Sequence, residues 1–263
     1  MKNEQFLPPG SIPLIESIEH GEHLQWLDKE HNFQLVFISN NDNQTQHNLN
    51  DKSGKIIIAD KNNAPIVDLK VFSDSKHPEY FTFELFKGKE FDSAGEHGNL
   101  VRISEERLKD DARNIFLILH ELGHCHVSNM HPEKHSAAFD ARQLTLNPIF
   151  IPDDLKSMGI DSEKKKELFS NVVENERDAW AQAIKIARKI KSEYGLDLFE
   201  LFRDSGDFMG WVRNAGLYSY EKQLELFGGG KPTKADLLKK QKLNDLLDDF
   251  KETVIALFIS AKK

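Results

Sequence analysis

The chain has 263 residues, of which 39% are apolar and 18 are Phe, so a sizeable core is available for one large domain. Its net charge of -8 argues against a nucleic-acid backbone as the main partner, and a single cysteine, Cys125, excludes a disulfide framework and a cysteine-based zinc site. Residues 1–23 contain no apolar run of signal-peptide length, and no stretch reaches the roughly 18 uncharged apolar residues of a membrane span, so a cytoplasmic protein without a membrane partner is expected.

Residues 1–10 read as a tail closed by Pro8-Pro9-Gly10. Ile15, Ile18, Leu24, Trp26 and Leu27 suggest a loose helix up to Lys29. Strand-like runs follow at Phe33–Ser39, Lys55–Ala59, Ile66–Phe72, Tyr80–Phe86 and Asn99–Ser104, each short and rich in β-branched or aromatic residues. The polar stretch from Asn40 to Lys52 reads as a loop. Together these runs predict a small, mostly antiparallel N-terminal sheet over about residues 33–104.

After Ser104 the pattern turns helical. Ser104 is a candidate N-cap, with Glu105 and Glu106 at the positive end of the helix dipole, and one helix is predicted from Glu105 to Val127. Further helices are predicted over Lys134–Leu144, Ser162–Tyr194 with Gly195 as the stop, Leu196–Arg203 and Phe208–Phe227. Gly228-Gly229-Gly230-Lys231-Pro232 reads as a linker. A last helix, within 233–263, carries a stripe of Leu237, Leu238, Leu243, Leu246, Leu247 and Phe250, expected to pack on the parent domain. The expected fold class is therefore α+β: one domain over residues 1–227, with active-site helices at about 105–195, then a linker over 228–232 and the C-terminal helix.

The residues that carry chemistry are His120-Glu121-Leu122-Gly123-His124, at the end of the apolar run from Ile115 to Leu119. At about 100° per residue, His120 and His124 fall about 40° apart on one face, one turn separated. Two imidazoles so placed can bind one tetrahedral metal. Glu121 lies about 100° round from His120, where it serves as a general base on water rather than as a ligand. A helix that is apolar all round is a buried helix, and buried polar side chains need partners or a metal. Cys125 projects away from His124 and reads as a small buried residue, not a nucleophile.

A catalytic zinc takes three protein ligands and keeps one open position. The sequence offers two candidates for the third. One is Glu174 in Glu174-Asn175-Glu176-Arg177-Asp178-Ala179-Trp180-Ala181, with Asp178 one turn on to orient a zinc-bound histidine, while Glu176 projects about 200° round from Glu174. The other is His131 or His135 in His131-Pro132-Glu133-Lys134-His135-Ser136-Ala137-Ala138-Phe139; the His-x-x-x-Phe segment from His135 is similar to one in SprT-like proteases. Met130 stands where the metzincin pattern wants its histidine. Tyr218, Tyr220, His126 and His135 are candidate oxyanion donors.

The motif, the preceding Leu100–Ser104 strand and the Glu174-x-Glu176-Arg177-Asp178-x-Trp180-Ala181 segment together resemble the gluzincin metallopeptidases of the ImmA/IrrE-like group. The last segment is also similar to the Glu-x-Glu-Ala-Asp pattern of the prenyl-protein-processing gluzincins. The resemblance covers about residues 99–190. It implies a Zn2+ cofactor held by His120, His124 and Glu174, with Asp178 orienting and Glu121 catalytic. It also implies hydrolysis of a peptide bond in a specific intracellular protein, whose chain would add beside Leu100–Ile103 as an extra strand. The competing readings are an SprT-like protease with His135 as ligand, a non-catalytic, zinc-binding regulatory or toxin-associated protein, and a metal-free structural helical protein.

Overall fold

In a computed structural model of the chain, the structure describes residues 22–28, 33–39, 52–73, 81–87, 92–94, 100–146, 162–213 and 251–261. The chain is α+β and divides into two compact units, Met1–Ile115 and Phe116–Lys263. The predicted linker and the leucine stripe of the last helix lie outside the described residues, as do Tyr218 and Tyr220.

The first unit carries a seven-stranded sheet in the order β1-β2-β3-β5-β7-β6, with β4 also paired to β3. Its strands are β1 Glu22–Asp28, β2 Phe33–Ser39, β3 Lys52–Asp60, β4 Pro65–Asp68, β5 Thr82–Phe86, β6 Asp92–Ala94 and β7 Leu100–Ser104. All pairings are antiparallel except β5 with β7. β3 is the centre, flanked by β2, β4 and β5, and Ile56, Ile57, Ile58 and Ala59 in it are completely buried. A strand covered on both faces reads as a continuous apolar run rather than an alternating one, as Ile56-Ile57-Ile58-Ala59 does. Glu84 of β5 is also completely buried, and it accepts a 3.0 Å hydrogen bond from its cross-strand partner Arg102 of β7. The pairing satisfies a carboxylate that burial would otherwise penalise.

Four expectations for this unit change. Residues 22–28 are a strand, not the end of a helix; Leu24 and Trp26 fit a period of two as well as a loose helical spacing. Ile66–Phe72 is not one strand: it turns after Asp68 into a 3-10 helix, Leu69–Phe72, because the Asp68 carboxylate accepts from the Lys70 N–H at 2.9 Å. The predicted helix from Glu105 to Val127 is broken. Ser104 does cap α1, Glu105–Asp110, accepting from the Arg107 N–H at 3.1 Å. Asp111 is then extended, at φ -155°, and its carboxylate takes the Arg113 N–H and guanidinium, which diverts the backbone into a 3-10 turn, Ala112–Asn114. Finally, β7 is not a sheet edge. β5 pairs with one side of it and β6 with the other along Leu100–Arg102, so those groups are not available to an added peptide strand.

The second unit is helical. The described helices are α2 Ile115–Met130, which begins at the unit boundary, α3 Pro132–Leu146, α4 Ser162–Tyr194 and α5 Ser205–Val212, with a 3-10 turn at Leu198–Leu201 and a helical stretch over 251–261. α4 ends at Gly195, whose φ of 73° is the left-handed conformation that glycine adopts without penalty. Phe116, Phe199, Phe202, Phe208 and Phe258 form an interlocking aromatic cluster, with Phe208 and Phe258 stacked at 4.6 Å and most other pairs edge to face. Phe258 thereby fastens the 251–261 stretch onto this unit. No described helix is long and apolar enough to cross a membrane.

Candidate metal centre

α2 places His120, Glu121 and His124 in the middle of a buried apolar helix, with exposures of 5%, 8% and 5%. The two histidines turn their Nε2 atoms to one point, 3.1 Å apart. Two facing ring nitrogens share at most one proton, so such an approach suits a pair of lone pairs aimed at a common cation.

The third donor is Glu176. Its Oε2 lies 3.1 Å from His120 Nε2 and its Oε1 lies 3.6 Å from His124 Nε2. The donor atoms of His120, His124 and Glu176 all fall within 4.8 Å of one another, and all three side chains are buried. Burial opposes ionisation of Glu176, but the charges and hydrogen bonds of His124 and His120 outweigh it and hold the carboxyl well below its ordinary range. The group could therefore hold a metal ion: it offers two imidazoles and an ionised carboxylate at the spacing of one cation.

Three features fix this arrangement. Gly123 lets the helices cross closely: a Cβ there would stand 2.2 Å from the Ala179 carbonyl oxygen of α4. Trp180 stacks on the His120 ring at 4.4 Å. Asn175 lies with its Nδ2 3.1 Å from His124 Nδ1. The corresponding nitrogen of His120 has no hydrogen-bond partner among the described residues.

The structure places the other expected ligand and orienting residues apart from this group. Glu174 is not at the centre: its side chain is 40% exposed, accepts from Ser170 Oγ at 3.3 Å and lies 3.6 Å from Lys134 Nζ. Asp178 pairs with Lys134 at 2.7 Å and with Arg177 at 3.1 Å, and does not orient a histidine. His135, on α3, has its ring 6.2 Å from that of His124, and the donor cluster does not include it. Burial lowers its pKa below the ordinary histidine value, with a smaller contribution from His124.

Helical phase is the physical reason. Glu174 and Asp178 share the half-exposed face of α4 that meets Lys134, and Glu176, about 200° round, is on the buried face. The signal was in the sequence: three and four residues either side of Glu176 stand Val172, Val173, Ala179 and Trp180, while Glu174 has Ser170, Asn171, Arg177 and Asp178. Cys125, 1% exposed, is a free thiol that burial pushes well above its ordinary pKa, with Glu121 adding to the effect.

The chain matches no family model, no curated protein and no solved structure.

Proposed function

We propose that the protein is a metallopeptidase of the gluzincin kind, with zinc held by His120, His124 and Glu176 and a peptide bond of a protein as its substrate. The observation that supports this reading is the buried set of two histidines one turn apart and a carboxylate from a second helix, with Glu121 directly after the first histidine. Two nitrogens and one carboxylate oxygen are the ligand set of a hydrolytic zinc site that keeps one position open. The gluzincin resemblance is kept, since the third ligand remains a carboxylate of the Glu-x-Glu segment, moved by two residues. Zinc in such a site activates water and polarises the scissile carbonyl.

The chain's own residues do the rest. Glu121 accepts a proton from the attacking water at its carboxylate and hands it to the leaving amine. Its place in an apolar helix keeps bulk water from competing for that carboxylate. Trp180 and the close crossing at Gly123 hold His120 and Glu176 against each other, so the ligand geometry is set before substrate arrives.

Zinc content of the stripped and reloaded protein tests the ligands, and cleavage of a quenched-fluorescent peptide library tests the chemistry. Wild type takes up one zinc; Glu176→Ala and His120→Ala do not; Glu174→Ala does. Glu121→Gln keeps its zinc and loses about 10²- to 10⁴-fold in cleavage rate. Zinc retained by Glu176→Ala refutes the ligand set, and wild-type cleavage by Glu121→Gln refutes the mechanism.

A further inference from the structure

Asn175 is 7% exposed and sits between two imidazoles. Its Nδ2 lies 3.1 Å from His124 Nδ1, and its side chain also adjoins His135. Two buried atoms in this group have no partner of good geometry, Asn175 Oδ1 and His135 Nδ1. A histidine that gives its Nε2 lone pair to a metal carries its proton on Nδ1. That N–H needs an acceptor, and an amide nitrogen is not one. A half-turn of the amide exchanges oxygen and nitrogen without moving any other atom. It sets Oδ1 against His124 Nδ1 and turns the Nδ2 donor to the side where Oδ1 found no partner.

We propose that Asn175, in place of Asp178, is the positioning residue of this centre: its Oδ1 accepts from His124 Nδ1–H while its Nδ2 donates to His135 Nδ1. One amide then fixes the tautomers of both rings. His124 is held with Nε2 toward His120 and Glu176, and His135 is left with its proton on Nε2. The assignment rests on the metallopeptidase reading, because metal binding is what makes His124 Nδ1 a donor.

The test uses the full chain with zinc alone as the probe. Affinity is read by competition with a chelating indicator, and ring tautomers by ¹⁵N–¹H spectra of the zinc-loaded protein. Asn175→Leu, close in size but without hydrogen bonding, lowers zinc affinity by about 10- to 100-fold and exposes the His124 Nδ1 proton to exchange. Asn175→Asp keeps the acceptor and lacks the donor. It holds zinc within a few-fold of wild type while His135 loses its single tautomer, and it carries the test if the leucine variant does not fold. Wild-type zinc affinity in Asn175→Leu, or a wild-type His135 protonated on Nδ1, overturns the proposal. A wild-type protein that takes up no zinc refutes the metallopeptidase reading itself, and with it the role of Asn175, so the two failures are told apart.

Discussion

Gly123→Ala separates the site from the fold. The added methyl would stand 2.2 Å from the Ala179 carbonyl oxygen, 2.9 Å from its carbonyl carbon and 3.1 Å from its Cα, all backbone atoms. Ordinary van der Waals contact begins at 3.4 Å, so the two helices must part by about 1.2 Å at this crossing. Glu176 lies one turn before Ala179 on the same face of α4 and moves with it. Metal–ligand distances hold to about 0.2 Å, so the displacement is about six times the tolerance.

The stability change is much smaller. Overpacking costs about 1–3 kcal/mol, and replacing a mid-helix glycine by alanine returns about 1 kcal/mol. The net loss of about 0–2 kcal/mol lowers the melting temperature by at most about 8 °C in a chain of this size. Zinc affinity, by contrast, falls about 100-fold or more. Gly210→Ala, where a Cβ meets nothing within 4 Å, is the control and leaves zinc binding unchanged. Calorimetric zinc titration and thermal unfolding of the metal-free proteins read the two quantities independently. Wild-type zinc affinity in Gly123→Ala would show that the crossing does not set the ligand geometry.

Three further outcomes are expected. Burial raises the Asp68 carboxyl above its ordinary 3.8, outweighing the Lys70 N–H and the charges of Lys55 and Lys70. Its stabilising contribution is thus complete below 3.8 and is lost as pH rises through the folded value. Asp68→Asn, which keeps an acceptor for the Lys70 N–H, is therefore more stable than wild type at neutral pH and loses that advantage on acidification; equal guanidinium midpoint differences at pH 7 and pH 4 would contradict this. Cys125 stays unmodified by iodoacetamide in the native protein and reacts on unfolding, and stoichiometric native labelling would place the thiol at the surface instead. Phe258→Ala removes a ring packed on Phe199, Phe202 and Phe208 and costs about 3–5 kcal/mol in denaturant unfolding; a change below about 1 kcal/mol would mean that the 251–261 stretch is not part of this core.

The parts of the fold that could be read from sequence are those where one local signal acts alone. Phe33–Ser39 is a buried strand with both flanks polar, and its predicted limits match β2. Ser162–Tyr194 keeps one helical period for its whole length and stops at a glycine with positive φ. Where two signals compete, periodicity loses. Glu105 to Val127 has no proline or glycine before Gly123, yet Asp111 breaks the helix by bonding the Arg113 backbone. β6, Asp92–Ala94, contains no large apolar residue, and only its partner β7 makes it a strand.

The third ligand shows how far a motif reaches before packing must decide. Glu-x-Glu offers two carboxylates about 200° apart on one helix, so when one faces the core the other faces out. Matching by pattern selects neither, and the resemblance pointed to Glu174. The stripe of Leu168, Val172, Ala179, Ala183 and Ala187 selects Glu176, because every member lies three or four residues, or a whole number of such turns, from it and is buried. A carboxylate within such a stripe has no water to solvate it and must find hydrogen-bond donors or a metal, here beside the histidine pair. The same argument brings in Asn175, the next residue on the edge of the stripe, and leaves Asp178 to the surface ion pairs around Lys134. The positions of His120, Glu121 and His124 follow from spacing within one helix. Their partners were fixed by which face of a second helix is dry.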